Sequence, residues 1–164
     1  MQAGKYRQAE VNLAEVVHVF RALVHRFAME ELSEAKTIFD KGIEGCIHGR
    51  KGSKRQVLLM ELETLKKLGL APGIVKENIT TVGLDLNSIL PGLQLAIGNA
   101  VLEATEPCHP CERMDAIRQG LKEELRGQRG ILCKVVSAGR IKKGDLIQTI
   151  APEAALAETR GTGK

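Results

Sequence analysis

The residues best suited to chemistry are two cysteines three apart, in the run Glu106-Pro107-Cys108-His109-Pro110-Cys111-Glu112-Arg113. Cys-x-x-Cys spacing lets both sulfurs approach one metal, or each other. Pro110 suits the first position of a helix. Cys111 would then lie in the first turn, where unpaired N–H groups and the positive end of the helix dipole favour a thiolate. Arg113 adds a cation to that turn. Such a thiol serves as a nucleophile, a persulfide carrier or a soft-metal ligand; the alternative is a buried structural cysteine. Upstream, Cys46-Ile47-His48 offers two more ligand types in a glycine-rich loop. Cys46, His48, Cys108 and Cys111 together would make a four-ligand site, although Cys-x-His is an unusual spacing for structural zinc. Alternatively, Cys46 and His48 merely line a loop near the cleft. Cys133 alternates with Ile131 and Val135 and reads as core. His18 and His25 lie in an amphipathic stretch and carry no assigned role.

Basic residues supply the second set. Lys51, Lys54 and Arg55 sit among Gly49, Gly52 and Ser53. Backbone N–H groups and cationic side chains in such a loop cradle phosphate, whereas a solvated charge run is the plain alternative. Arg126 and Arg129 flank Gly127 before a strand, and Arg129, leading into the Gly130 turn, is the better placed to meet an anion. Asn78 can give both a donor and an acceptor to the edge of a ligand. Glu77 would orient a neighbouring arginine, or Glu77 and Asn78 would tie down a turn.

Composition narrows the classes. The chain has 164 residues, enough for one buried core, with 43% hydrophobic and 27% charged residues. Aromatic residues are only 2%, with no Trp, which argues against a nucleic-acid partner that stacks bases. The net charge of +4 suits an anionic small molecule. The apolar stretch from Ala14 to Val24 is broken by Glu15, His18 and Arg21, so no membrane span is expected. The start lacks the features of a secretory signal. A cytoplasmic protein with four reduced cysteines is the expectation.

The elements that must position these residues are short. Residues 1–10 read as a flexible start, 11–150 as one domain and 151–164 as a flexible tail. Residues 11–27 fit a helix or a strand equally well. Gly42 to Gly52 reads as a loop. Leu58, Leu62 and Leu65 fall on one helical face, with Glu63 and Lys67 paired on the other and Gly69 as the stop. Leu93, Leu95 and Ile97 alternate as a strand, and Val101 to Ala104 continues as another. Pro110 begins a helix with Met114, Ile117, Leu121 and Leu125 as its buried stripe, which Gly120 would split. Ile131 to Val135 and Leu146 to Ile150 are strands, joined by a turn at Lys142-Lys143-Gly144-Asp145. Short strands, interspersed helices and 17 glycines suggest a small barrel decorated with helices.

Three segments resemble the MOSC family, the module named after the C-terminal domain of molybdenum cofactor sulfurase. The run from Pro72 to Leu86, with Glu77-Asn78-Ile79-Thr80 and Gly83-Leu84-Asp85, looks like the family's Glu-Asn-(Ile/Leu)-Thr segment followed by Gly-Leu-Asp. Glu103-Ala104-Thr105 followed by Pro110-Cys111 is similar to its Glu-x-Thr strand and Pro-Cys motif. Gly130-Ile131 through Gly139-Arg140-Ile141 to Gly144-Asp145 resembles its closing strands, and Arg55-Gln56-Val57 matches a segment before its first helix. Order and spacing agree across residues 40–150. The chain departs from the family at Gly45-Cys46, where many members carry Gly-Asp.

The resemblance implies a β-rich α+β fold, a β-barrel core with peripheral helices. It implies molybdenum cofactor (molybdopterin) binding, or sulfur handling for metal–sulfur centre maturation. Cys111 would then carry a persulfide or ligate the metal, with Cys108 assisting, and Arg55, Glu77, Asn78, Arg113 and Arg129 would hold the cofactor. A sulfur transferase and a cofactor-dependent activity both fit. The rivals are a Cys/His metal-site protein and a docking domain without its own activity. A sulfur donor or a molybdoenzyme is the protein partner implied. The sequence lacks the desulfurase domain of the sulfurases and the N-terminal barrel of the amidoxime-reducing members. No lysine has a recognisable Schiff-base setting, so pyridoxal phosphate is not expected.

Overall fold

The structure is a computed structural model and describes residues 13–150. The flexible segments expected at 1–10 and 151–164 lie outside the described residues. Eleven strands and three short helices follow in order: β1 (Glu15–Arg21), β2 (Glu30–Glu31), β3 (Glu34–Ile38), β4 (Gly42–Ile43), β5 (Val57–Glu61), α1 (Leu62–Lys67), β6 (Ile79–Val82), β7 (Gln94–Ile97), β8 (Ala100–Pro107), α2 (Arg113–Ile117), α3 (Leu121–Glu124), β9 (Ile131–Ser137), β10 (Arg140–Lys142) and β11 (Ile147–Ile150). Among the described residues no helix is long and apolar enough to cross a membrane.

Eight strands form one mixed sheet in the order β11-β7-β8-β9-β5-β6-β1-β2, and β10-β3-β4 form a second. The large sheet curls until its ends approach. Val16 N–H donates to the Asp145 carbonyl at 2.9 Å, and Ile147 N–H to that of Ala14 at 2.8 Å. The contact stops at a single bridge, Glu15 to Leu146. β6 occupies one edge of β1, and β2 takes the far end of the other edge, so little remains for β11. The expected barrel is therefore an open, incomplete one.

Alternation along β5 divides the interior. Val57 and Leu59 join the main core inside the curl, with Val16, Ile79, Leu95 and Leu102. Met60 faces outward onto Leu65, Val75, Met114, Leu121 and Leu125, beneath the three helices. Leu58, also outward, packs with Cys108 and Leu132. This burial on both faces explains why Leu58 does not belong to a helix. An unbroken apolar run in a central strand has no period that separates it from a helix. β5 pairs in parallel with β6 and antiparallel with β9, and α1 lies between the two parallel strands. Gly69 follows α1 with φ 69°. The pairing expected of Glu63 and Lys67 does not form: Glu63 accepts from Gly83 N–H at 3.0 Å, and Lys67 donates to Gln128 at 2.8 Å.

The helix expected from Pro110 starts later, at Arg113, and Gly120 separates it from α3 as expected. Cys108 N–H still donates to the Gly130 carbonyl at 2.9 Å, which prolongs the β8–β9 pairing. Pro110 holds His109 away from helical backbone, so residues 108–111 are spent leaving the sheet. Cys111 thus precedes a five-residue helix, and the helix-dipole argument for its thiolate falls away. The segment read as loop between Gly42 and Gly52 contains β4 and is otherwise turns.

Two buried side chains shape the turn before β6. Glu77 is fully buried; its carboxyl accepts from Gly73 N–H at 2.6 Å and from Thr80 Oγ1 at 3.0 Å. Burial raises its pKa, against the lowering effect of these hydrogen bonds and of Arg129. Asn78 Oδ1 accepts from Leu58 N–H at 3.0 Å, and its Nδ2 donates to the Phe20 carbonyl at 3.2 Å.

Two outcomes follow. Gly130 has φ 94°, and an added Cβ would run into the Leu59 carbonyl. Backbone strain and overpacking each cost about 1–3 kcal/mol, so Gly130→Ala should lower the unfolding free energy by about 3 kcal/mol or more in urea titration. A carboxyl whose folded pKa lies above its unfolded one gives stability that is complete below the unfolded pKa and lost as pH rises through the folded one. The stability of wild type relative to Glu77→Gln should therefore decline from the ordinary glutamate range upward. A pH-independent difference between the two would contradict this assignment.

Candidate functional site

A cavity of about 770 Å³ opens on the outer face of the large sheet. Leu58 of β5, Leu132 of β9 and Cys108 form its floor, the same three side chains that pack together. Arg113, Met114 and Ile117 of α2 make one wall. The segment after β1 (His25, Arg26, Phe27), the Ile47–His48 turn and the loop from Arg50 to Arg55 make the others, and Lys76 closes the rim. Phe27 is tied to that rim by Lys76 Nζ, which donates to its carbonyl at 2.6 Å.

Charge distinguishes this cavity. Among the described residues no Asp or Glu lines it, whereas Arg26, Arg50, Arg55, Arg113, Arg129 and Lys76 all do. Arg55 has one acidic neighbour, Glu106, at 3.7 Å with both side chains exposed, a weak pair in water. Arg129 is buried, at 6% exposure. Its Nη2 donates to the Val75 carbonyl; among the described residues its buried Nε and Nη1 have no hydrogen-bond partner, and neither has Glu77 Oε2. The charge of this guanidinium in the cavity lining favours an anion there.

The sulfurs differ in setting. Cys111 is exposed on the cavity wall. Cys108 is buried, and burial pushes its thiol pKa up, against the pull of Arg129 and Arg55. Cys133 is fully buried in the core; desolvation pushes it up to about 12, so it stays an inert thiol. Cys46 is turned into the core, where its sulfur accepts from Ala22 N–H at 3.4 Å and from Asn78 Nδ2 at 3.5 Å. His48, two residues on, faces the cavity, with its ring 6.1 Å from that of His25. Burial lowers the His48 pKa, and His25, Lys76 and Arg113 lower it further, so it is neutral at neutral pH.

The four-ligand set of Cys46, His48, Cys108 and Cys111 is therefore not assembled. Among the described residues no three His, Cys, Asp or Glu side chains converge as a metal site. Cys46 turns inward and spends its sulfur on backbone and amide donors, and His48, Cys108 and Cys111 do not converge without it.

The cavity does gather Arg55, Asn78, Cys108, Cys111, Arg113 and Arg129. Asn78 reaches it with its amide already engaged, and Glu77 sits behind it. From the Gly/Ser loop, Arg50, Ser53 and Arg55 line the cavity, while Lys51 and Lys54 do not. Arg126 is exposed and pairs with Glu123 at 2.8 Å. Sequence reasoning missed Arg26 and Lys76. Both have φ 68°, unusual for residues other than glycine, and neither carries a sequence signal for that conformation.

Comparison with known proteins agrees with this architecture. The family model described as MOSC domain matches residues 47–148. The solved YuaD protein from Bacillus subtilis is similar, with a TM-score of 0.71 at 19% identity over 83% of this chain and 94% of that one. YiiM from Geobacillus stearothermophilus has a TM-score of 0.62 at 17% identity, over 92% of this chain and 76% of that one. YiiM from Escherichia coli has a TM-score of 0.61 at 17% identity, over 82% and 70% respectively. No curated protein matches. At these identities the structures speak to the fold alone; the family match extends over most of the strands and both cysteines of the cavity, and the chain belongs to the MOSC domain family.

Proposed function

We propose that this MOSC domain holds the anionic pterin of the molybdenum cofactor in its basic cavity and handles sulfur for metal–sulfur centre maturation through Cys111. The observation that carries the reading is a cavity lined by six cationic side chains, one of them the buried Arg129, and by no carboxylate among the described residues. That donor set fits a phosphate-bearing group. Arg129, Arg55 and Arg113 would hold its anionic end, and Cys111, the exposed thiol, would meet its metal–sulfur end as a persulfide carrier or soft ligand. When bound, the cofactor supplies a metal centre that takes sulfur as a ligand.

The remaining residues act indirectly. Asn78 and Glu77 fix the backbone of the wall. Neutral His48 adds a donor and an acceptor without adding charge. Lys76, the lysine lining the cavity, is occupied with the Phe27 carbonyl, and pyridoxal phosphate is no part of the proposal. A cytoplasmic setting suits the four cysteines, all free in the structure.

A docking role accompanies this reading. Val24, Phe27 and Ile74 border the cavity and are 55%, 68% and 39% exposed. An apolar rim around a basic cavity suits a protein that brings sulfur or takes the product, such as a sulfur donor or a molybdoenzyme.

Two variants separate binding from sulfur handling. Cofactor released from a donor molybdoenzyme and read by pterin fluorescence should bind wild type and Cys111→Ser. Arg129→Met should bind at least about tenfold more weakly, the loss expected for charge-assisted hydrogen bonds of about 1.5–3 kcal/mol. Incubated with inorganic polysulfide, wild type should gain a reducible adduct of roughly 32 Da, and Cys111→Ser should not. Equal binding by Arg129→Met would remove the anion-site assignment, and equal sulfur loading by Cys111→Ser would remove the carrier.

A further inference from the structure

Cys108 and Cys111 border one cavity from unequal positions. Cys108 lies in the floor, 7% exposed, beneath Leu58 and Leu132. Cys111 is exposed, three residues on and past Pro110. The stretch from Cys108 to Cys111 belongs to no helix or strand. Its ends are pinned by Cys108 N–H to the Gly130 carbonyl at 2.9 Å and by Met114 N–H to the Cys111 carbonyl at 2.9 Å. A short irregular segment between two pins leaves room for the sulfurs to close to bonding distance.

Burial is the main cause of the raised Cys108 pKa, opposed by Arg129 and Arg55 and reinforced by Cys111, and both cysteines line the same cavity. Among the described residues no metal site competes for them.

We propose that Cys108 is the resolving thiol of this cavity, attacking the inner sulfur of a Cys111 persulfide to close a Cys108–Cys111 disulfide and expel the outer sulfur as hydrosulfide. The inference rests on the sulfur-carrier reading of Cys111. The new bond joins Cys108 Sγ to Cys111 Sγ; the broken bond is that from Cys111 Sγ to the outer sulfur. The electron pair of the broken bond leaves with the outer sulfur. That sulfur departs at the sulfide level, and the two cysteines remain as a disulfide. The Cys108 proton balances the hydrosulfide, and a dithiol reductant restores both thiols.

The floor position of Cys108 favours attack on the sulfur nearer the backbone, while the outer sulfur stays with the exposed side of Cys111. Cations line the cavity and, among the described residues, no carboxylate does, which favours the leaving anion there. The domain would then release sulfide, the oxidation level at which a metal takes sulfur as a ligand, instead of passing on sulfane sulfur.

The test uses the full chain, reduced, desalted, loaded with inorganic polysulfide, and followed by alkylation, intact mass and a sulfide assay. Wild type should pass from the adduct of roughly 32 Da to a species about 2 Da lighter than the reduced chain, with about one sulfide released per chain. Non-reducing peptide mapping should join Cys108 to Cys111. In Cys108→Ala the adduct should persist about tenfold longer and the lighter species should be absent. An unchanged adduct lifetime and sulfide yield in that variant would overturn the inference, as would a wild-type map joining other cysteines or none. The peptide map needs no variant, so a folding defect in Cys108→Ala does not protect the proposal. Persistence of the wild-type adduct on Cys111 without disulfide defeats the resolving role alone; sulfur loading that survives in Cys111→Ser defeats the carrier itself.

Discussion

The buried amide of Asn78 ties together three pieces of chain, adding to the backbone bonds between them. Its oxygen takes the Leu58 N–H at the outward step of β5, and its nitrogen serves the Phe20 carbonyl near the end of β1 and the Cys46 sulfur. A buried amide left unpaired costs more than the bond itself contributes, so these partners are held together or lost together. Both the floor at Leu58 and the wall after β1 take their positions from this one side chain. Cys46 completes the amide's partners with a buried sulfur.

The charge of the cavity is arranged by exclusion. Its cations come from five separate stretches of chain, yet among the described residues no carboxylate enters. The carboxyls nearby are turned elsewhere: Glu77 stands behind the wall with two donors of its own, and Glu106 meets Arg55 only where both are wet. Cations lining a partly dry space raise the local preference for anions, while burial first, and then His25, Lys76 and Arg113, depress proton uptake by His48.

Much of this was legible in the sequence. Alternation found β7 and β8, whose burial alternates along the strand, and the inward residues of β9, Ile131, Cys133 and Val135. β5 was not legible, since both of its faces are covered and its apolar run has no period. The start of α2 was misplaced because Pro110 is as compatible with a strand exit as with a helix entrance, and the choice lay in a hydrogen bond to Gly130, twenty-two residues away in sequence. The cysteines and Arg55, Arg113 and Arg129 were found from residue type and family spacing. That Cys46 turns inward, and that Arg26 and Lys76 join the rim, depends on long-range packing that a local pattern does not encode.

The cavity is built from two kinds of material. Its floor is sheet, with Leu58 and Leu132 on central strands whose reverse faces form the main core, so a change there disturbs two packed layers at once. Its mouth is loop: the segment after β1, the Gly/Ser turn and the rim at Lys76 hang from the sheet by a few hydrogen bonds. The scaffold is what chains under a fifth identical share here, and it is the sheet, packed on both faces, that has least freedom to change.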